Sequence, residues 1–145
     1  MVNPEKIYGV VYSLPQDITD NLFKKKRDVF VKYLGVSVNK KSKISLREGM
    51  KVYFYASGSN RSIIGEGKIK KIHFLNSGEI LSKYKNRIMF NLSEFKTYVR
   101  DRERKNAMVL ELSHLKPYAI PIRLNKPINM GGKYVNTKTK KIMGL

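Results

Sequence analysis

The chain has 145 residues, 41% of them hydrophobic and 28% charged, a composition typical of one folded domain and not of a disordered segment. Thirty lysines and arginines stand against eleven acidic residues, so the formal net charge is +19, and self-repulsion of that size favours a polyanionic partner such as a phosphate backbone. The absence of cysteine excludes disulfides and thiolate metal sites, and because there is neither an apolar run of roughly 20 residues nor a signal peptide, we expect a cytoplasmic protein with no membrane partner.

The first half of the chain has the pattern of strands around one helix. Residues 7–14 are apolar on both faces and end at Pro15, which is typical of a buried strand. Asp17 is the predicted N-cap of a helix that ends in the basic run at residues 24–27, where cations also suit the helix dipole. Further elements follow in this order: a strand over 29–34, a lysine-rich loop over 39–45 and a strand over 51–57.

The second half begins with a hairpin turn over residues 58–61 and a long strand over 62–74. Gly65 and Gly67 indicate a bend or bulge in that strand, and the alternation slips again between residues 69 and 72. The remaining predicted elements are a helix that opens with a capping box from Asn91 to Glu94, a solvated helix end over 100–105, a strand over 108–113 and short edge segments between prolines.

Strands dominate this order of elements, with helices inserted between them. The pattern therefore predicts an α+β fold built on a small β-barrel. We expect one domain over residues 1–135, followed by a basic, flexible C-terminal tail over residues 136–145. We expect the protein to be a monomer.

Signals of enzymatic chemistry are weak. His73 and His114 fall on separate predicted strands with no cysteine to complete a metal site, so we expect neither a metal nor another cofactor. The glycines at 65, 67, 131 and 132 lack the strand, glycine-rich loop and helix of a phosphate-binding motif, and they are interpreted as turn glycines. The sequence favours a binding protein over an enzyme.

The chain does carry a pattern suited to nucleic acid, since nine tyrosines and six phenylalanines are interleaved with basic residues. If Phe54 fills the barrel, Tyr53 and Tyr55 lie on the opposite face of their strand, where one ring could stack on a base. The alternative is that a helix covers that face and both rings belong to the core. The basic residues that could form one patch are Lys24, Lys25, Lys26, Arg27, Lys32, Lys40, Lys41, Lys43 and Arg61. A lysine-rich genome or a surface tuned for solubility would also raise the charge.

The order of elements resembles the PUA-like superfamily, with its ASCH, EVE and YTH branches, and above all an uncharacterised archaeal family of basic PUA-like proteins. The segments that carry the resemblance are 7–11, 23–30, 47–55, 63–69 and 131–134. The resemblance implies a small mixed β-barrel of about five to seven strands with two or three flanking helices.

The same resemblance implies binding of RNA, or of a modified or flipped base, in a cleft between the opening strand and the helices. By position, that cleft would draw on Ser13, Lys25, Lys26, Arg27, Tyr55 and Ser57. We therefore expect an RNA-binding protein, with RNA preferred to DNA, in which lysines and arginines hold the backbone and tyrosine stacks a base.

An alternative also follows from the resemblance, because some ASCH-type proteins are small amidohydrolases that use a lysine, a threonine and a distant glutamate. Lys25 or Lys26 could supply the lysine and Glu66 the carboxylate, acting on a modified nucleoside. Asp28 stands where the threonine would be, so the nucleophile is missing. A third hypothesis, of a different kind, is an accessory protein bound to the ribosome.

Overall fold

The computed structural model describes residues 6–34, 45–58, 61–128 and 132–145, so the predictions for Lys40, Lys41, Lys43 and Gly131 lie outside the described residues. The strands are β1 (Gly9–Leu14), β2 (Val29–Lys32), β3 (Lys51–Ala56), β4 (Ser62–Leu75), β5 (Ala107–Arg123) and β6 (Lys133–Val135). The helices are α1 (Gln16–Phe23), α2 (Ser77–Tyr84), α3 (Leu92–Val99) and α4 (Thr137–Met143).

The strands form one mixed six-stranded sheet in the order β2-β5-β4-β3-β1-β6. β1 runs parallel to β3, and the other neighbours are antiparallel. Between β4 and β5 the register shifts at Ile63/Gly65, Glu66/Lys68 and Ile69/Lys71, and such bulges bend and twist a strand. These shifts confirm the bulges predicted around Gly65, Gly67 and residues 69–72, and they curl the sheet into a half-barrel. The fold is α+β with six strands, as expected, and with four helices among the described residues.

The sheet buries side chains on both faces, and β3 shows the alternation most clearly. Val52 and Phe54 join the larger cluster, which lies beneath α1, α2 and α3. Tyr53 and Tyr55 join a smaller cluster on the opposite face, together with Val135 and Met143 from the C-terminal segment. The alternation of β3 is therefore as the sequence predicted.

The prediction that Tyr53 or Tyr55 presents a ring for stacking is wrong. Their exposed fractions are 4% and 1%, because β6, α4 and the end of β5 cover that face of the sheet. The alternative, in which both rings are core, is the one the structure adopts. A base-stacking surface must therefore lie elsewhere on the protein.

Asparagine and glutamate pairs open the two middle helices. At α3, Asn91 and Glu94 form the predicted capping box, with both reciprocal hydrogen bonds present. At α2, which the sequence analysis did not identify, Asn76 and Glu79 form the same box. The signal for α2 was present in the sequence, although Gly78 in its first turn is a poor helix former. The predicted N-cap at Asp17 is wrong, since α1 begins at Gln16 behind Pro15, which makes no side-chain capping bond.

The C-terminal parts of the chain are more regular than the sequence indicated. Asn136 caps α4, and Met143 is buried against the smaller cluster, so the segment marked as a tail contains a helix. β5 is continuous through Pro117 and Pro121. β2 pairs only with residues 108–111 of β5, so within the described residues the later half of β5 has a free edge, where proline is tolerated. No helix in the described part of the chain is both long and apolar enough to cross a membrane.

Candidate functional site

A cleft of about 590 Å³ opens between the end of β1, the start of α1, strand β2 and helix α3. This volume falls within the range of roughly 300–1,000 Å³ that small-molecule sites usually have. Pro15 joins β1 directly to α1, so the strand end and the helix start form one wall of the cleft. The cleft lies where the resemblance to PUA-like proteins places a ligand, between the opening strand and the helices.

A buried asparagine holds the opposite wall in place. The side-chain nitrogen Nδ2 of Asn21, on α1, donates to the carbonyl of Met89 at 2.8 Å and to Oε1 of Glu94 at 3.0 Å. Met89 in turn donates its backbone N–H to the carbonyl of Val29 at 2.9 Å, which ties the segment before α3 to β2. Because buried polar groups cost free energy unless they are paired, this network fixes α3 relative to α1 and β2.

Aromatic rings make up much of the cleft wall. Tyr12 stacks on Phe30 with ring centroids 4.9 Å apart, and Phe90 stacks on Tyr98 at 4.7 Å. Tyr33 lies beside Tyr98, at 5.4 Å between centroids. Tyr12, Phe30 and Phe90 are buried, whereas Tyr33 and Tyr98 are half-buried and border the opening. Tyr33 and Tyr98 are thus the rings of this group that keep some solvent exposure.

Two cations lie on these rings. The guanidinium of Arg102 sits 5.2 Å from the centroid of Tyr33 and 5.5 Å from that of Tyr98. The ammonium of Lys32 lies 5.2 Å from the centroid of Tyr12. Burial lowers the pKa of Lys32, and the nearby charge of Arg102 lowers it further. Cations held over aromatic faces suit a ligand that combines a planar ring with negative charge.

Neutral and acidic oxygens complete the lining. Burial raises the pKa of Tyr12, with Tyr134 and Tyr98 adding to the rise, so its hydroxyl stays protonated at neutral pH. The hydroxyls of Ser13 and Thr97 and the carboxylates of Asp17 and Glu94 also border the cleft. The site therefore offers stacking faces, positive charge and hydrogen-bonding groups within one cavity.

Only part of the predicted site residues meet at this cleft. Ser13 and Lys32 line it. Arg27 lies just behind it, with Nη1 donating to the carbonyl of Phe90 at 3.5 Å. Ser57 lies alongside, with Oγ donating to the carbonyl of Leu14 at 3.2 Å. These four residues are the predicted ones that the fold brings towards the cavity.

Other predicted basic residues lie farther out. Lys24, Lys25 and Lys26 are exposed at the end of α1 opposite the cleft, and an eight-residue helix is about 12 Å long. Lys24 pairs with Asp20 at 3.6 Å. Arg61 is exposed at the β3–β4 turn, away from the cavity, with a left-handed φ of 44°.

The pair chosen for the hydrolase alternative is not brought together. Glu66 lies opposite Tyr53 on the face of the smaller cluster, whereas Lys26 follows α1 on the other face. Glu66 accepts hydrogen bonds at 2.8 Å from both Lys51 Nζ and the Tyr118 hydroxyl. Burial acts to raise the pKa of Glu66, but these bonds and the nearby lysine charges outweigh it and lower the pKa.

The histidines also have separate surroundings. His73 contacts Glu111 at 3.2 Å, and the same Glu111 oxygen accepts from the Tyr84 hydroxyl at 2.6 Å. His114 is exposed on β5 with a φ of 53°. Across the described ranges, no group of three or more His, Asp or Glu side chains is arranged to hold a metal.

Sequence reasoning missed the residues that make up the mouth of the cleft. Tyr33 and Tyr98 were assigned to a strand and to a helix stripe, and neither assignment indicated that the two rings meet. Arg102 was placed in a solvated helix end, although its charge lies over both rings. The one sequence signal for this arrangement was a basic residue, Arg102, shortly after the helix that carries Tyr98.

Solved structures share this fold. ASCH from Zymomonas mobilis has a TM-score of 0.76 at 15% identity, covering 94% of this chain and 94% of that chain. The N-terminal domain of McrB from Staphylothermus marinus has a TM-score of 0.56 at 14% identity, covering 81% of this chain and 77% of that chain. A hypothetical protein from Leishmania major has a TM-score of 0.52 at 11% identity, covering 96% of this chain and 93% of that chain. The likeness to ASCH confirms the expected PUA-like fold.

Sequence comparison supplies the family. The chain is 32% identical over 96 residues to the uncharacterized protein MJECS03 of the archaeon Methanocaldococcus jannaschii, a match that covers 59% of this chain and 89% of that protein. The family model described as a domain of unknown function, DUF365, matches residues 7–137. Because that match spans most of the chain, the protein belongs to the DUF365 family.

Proposed function

We propose that the protein binds single-stranded RNA and takes one unpaired base into the cleft between β1, β2 and α3. The observation that carries the proposal is the pair of half-buried rings, Tyr33 and Tyr98, with Arg102 held over both of them. A base that stacks on these rings would lie beside a cation that can contact its own phosphate.

The charge distribution supports the same proposal. Lys32 and Arg102 lie at the cleft itself. The exposed Lys24, Lys25 and Lys26 form a second basic surface past the far end of α1, about 12 Å from the end that borders the cleft, and α1 itself carries no lysine or arginine. Neighbouring nucleotides of a bound strand can follow this surface, since backbone contacts supply affinity without reading sequence. The net charge of +19 would then be neutralised by the ligand in use.

RNA is favoured over duplex DNA because of the shape of the site. The cavity is closed on one side by packed aromatic rings, so it suits a splayed base and not the edge of a base pair. Proteins that recognise RNA in a sequence-dependent way mostly act on unpaired bases stacked on aromatic side chains. The ASCH-like fold, with a cavity at the place that the family resemblance implies, supports this interpretation.

The test is a salt titration of binding to a short, fluorescently labelled single-stranded RNA, read by anisotropy. The logarithm of the association constant should fall linearly with the logarithm of salt concentration, with a slope of about −0.7 per neutralised phosphate. The same RNA in duplex form and single-stranded DNA of the same sequence serve as competitors. An affinity that does not respond to salt, or that is higher for the duplex, would overturn the proposal.

A further inference from the structure

Glu94 lies at the cleft with only one of its two carboxylate oxygens hydrogen-bonded to the described part of the protein. Oε1 accepts from the backbone N–H of Asn91 at 2.7 Å and from Nδ2 of Asn21 at 3.0 Å. The side chain borders the cavity. Within the described residues Oε2 has no hydrogen-bond partner, so Oε2 is the oxygen left for a ligand.

The two donors also fix the orientation of the group. Asn91 belongs to the capping box and Asn21 is buried, with an exposed fraction of 5%, and it is anchored a second time by the carbonyl of Met89. A carboxylate held by two such donors cannot rotate to exchange its oxygens without breaking both hydrogen bonds. The cleft therefore contains a fixed, charged acceptor beside its stacking faces.

From this geometry we propose that Glu94 is a specificity-determining residue that selects bases carrying an exocyclic amino group and rejects uracil. The proposal rests on the proposed function of the cleft. Cytosine, adenine and guanine each donate an amino hydrogen, and a carboxylate accepts such a hydrogen well. Uracil offers only its ring N–H, which lies between two carbonyl oxygens whose lone pairs repel the carboxylate.

One substitution at Glu94 can test this role while the capping box stays intact. Glu94→Gln keeps the box, because glutamine serves at this position as glutamate does. The donors Asn91 and Asn21 both require an oxygen opposite them, so the new amide must place its oxygen inward and its NH₂ towards the cleft. The variant thus replaces an acceptor by a donor at the same point, and a donor suits the carbonyl of uracil.

The experiment uses two short single-stranded RNAs in which only the central position carries a base, cytosine in one and uracil in the other, with abasic riboses on both sides. The wild-type protein should bind the cytosine RNA about tenfold more tightly, the discrimination expected of one charge-assisted hydrogen bond. Glu94→Gln should abolish or reverse that preference. Glu79→Gln is the matched control, since Glu79 fills the same position in the capping box of α2 but lies outside the cleft.

The outcomes separate the two proposals. If the wild-type protein binds neither RNA, the proposed function fails and the role of Glu94 fails with it. If it binds both RNAs equally, or if Glu94→Gln and Glu79→Gln both leave a cytosine preference unchanged, the role of Glu94 fails while the proposed function stands. Thermal melting of each variant shows whether a loss of binding reflects loss of the fold.

Discussion

The ring of Phe23, at the end of α1, lies directly over Gly65 in β4. A Cβ atom added at Gly65 would approach Phe23 Cζ to 2.5 Å and the carbonyl oxygen of Lys116 to 2.7 Å. The same ring packs edge-on against Phe54, with centroids 5.7 Å apart. The missing side chain at Gly65 is thus what allows α1 to sit on the sheet, and with it the wall of the cleft.

Gly65→Ala should therefore destabilise the protein by about 1–3 kcal/mol, the usual cost of overpacking a core. The measurement is the free energy of unfolding from urea denaturation. Gly67→Ala is the matched control, because the added Cβ would meet Leu115 Cδ2 at 3.1 Å, and that flexible side chain can shift. Equal effects at the two positions would contradict the argument.

Tyr33 provides the test of stacking. Tyr33→Ala should weaken binding of single-stranded RNA by about 1–3 kcal/mol, the cost of losing one stacked base. Tyr33→Phe keeps the ring, loses only the hydroxyl bond to the Arg102 carbonyl at 3.4 Å, and should bind nearly as the wild type does. Anisotropy titrations at one salt concentration measure both. If the two variants lose the same affinity, the ring does not stack.

Tyr55 should behave in the opposite way. Its ring is 1% exposed, so Tyr55→Ala should cost about 3–5 kcal/mol of stability, as for other large aromatic truncations. The fraction that remains folded should bind RNA as tightly as the wild type, because the ring lies on the other face of the sheet from the cleft. Urea denaturation and binding at low temperature measure the two effects. A loss of RNA affinity with a normal free energy of unfolding would show that Tyr55 contributes to the binding site.

The lysines at the end of α1 should contribute to the salt dependence of RNA binding. Replacing Lys24, Lys25 and Lys26 by alanine should make the salt slope less steep by up to about 2, the value for three lost phosphate contacts on a single strand. The matched control replaces Lys68, Lys70 and Lys71 of β4, which are also exposed. If both triple variants changed the salt slope equally, the net charge of the protein, and not the position of these lysines, would set the salt dependence.

The groups around Glu111 indicate how the free energy of unfolding depends on pH. Burial acts to raise its pKa, but hydrogen bonds from Tyr84 and His73 and the charge of Arg87 outweigh burial and hold the pKa below the ordinary value of 4.5. A carboxyl whose pKa is lower in the folded state stabilises that state above the ordinary value. That contribution is lost as the pH falls through the lowered folded-state value.

Glu111→Gln should consequently lower the free energy of unfolding at pH 7 by about 1–3 kcal/mol, and the difference from wild type should shrink as the pH falls below 4.5. Urea denaturation at several pH values measures it. Tyr84→Phe removes the 2.6 Å hydrogen bond to Glu111 and should show the same trend more weakly. Parallel pH curves for wild type and Glu111→Gln would show that Glu111 does not carry the acid sensitivity.

Local patterns determined much of the fold. Alternation placed Phe54 and Tyr55 on opposite faces of β3, and the glycines at 65 and 67 marked the bulges of β4. The capping box identified the start of α3 at Asn91. These features depend on the repeat of one strand or on one helix turn, so neighbouring residues contain the information.

The sequence by itself determined the charge of +19, the absence of cysteine and the PUA-like order of elements, and from these the general class of partner was predicted. Only the tertiary structure decided which faces are covered. It buried Tyr53 and Tyr55 beneath the C-terminal segment, and it brought Tyr33, Tyr98 and Arg102 together from the residue after β2, from α3 and from the loop after α3. A residue's own sequence neighbourhood sets the face on which it lies, but what packs against that face comes from distant parts of the chain, and long-range packing has no local signature.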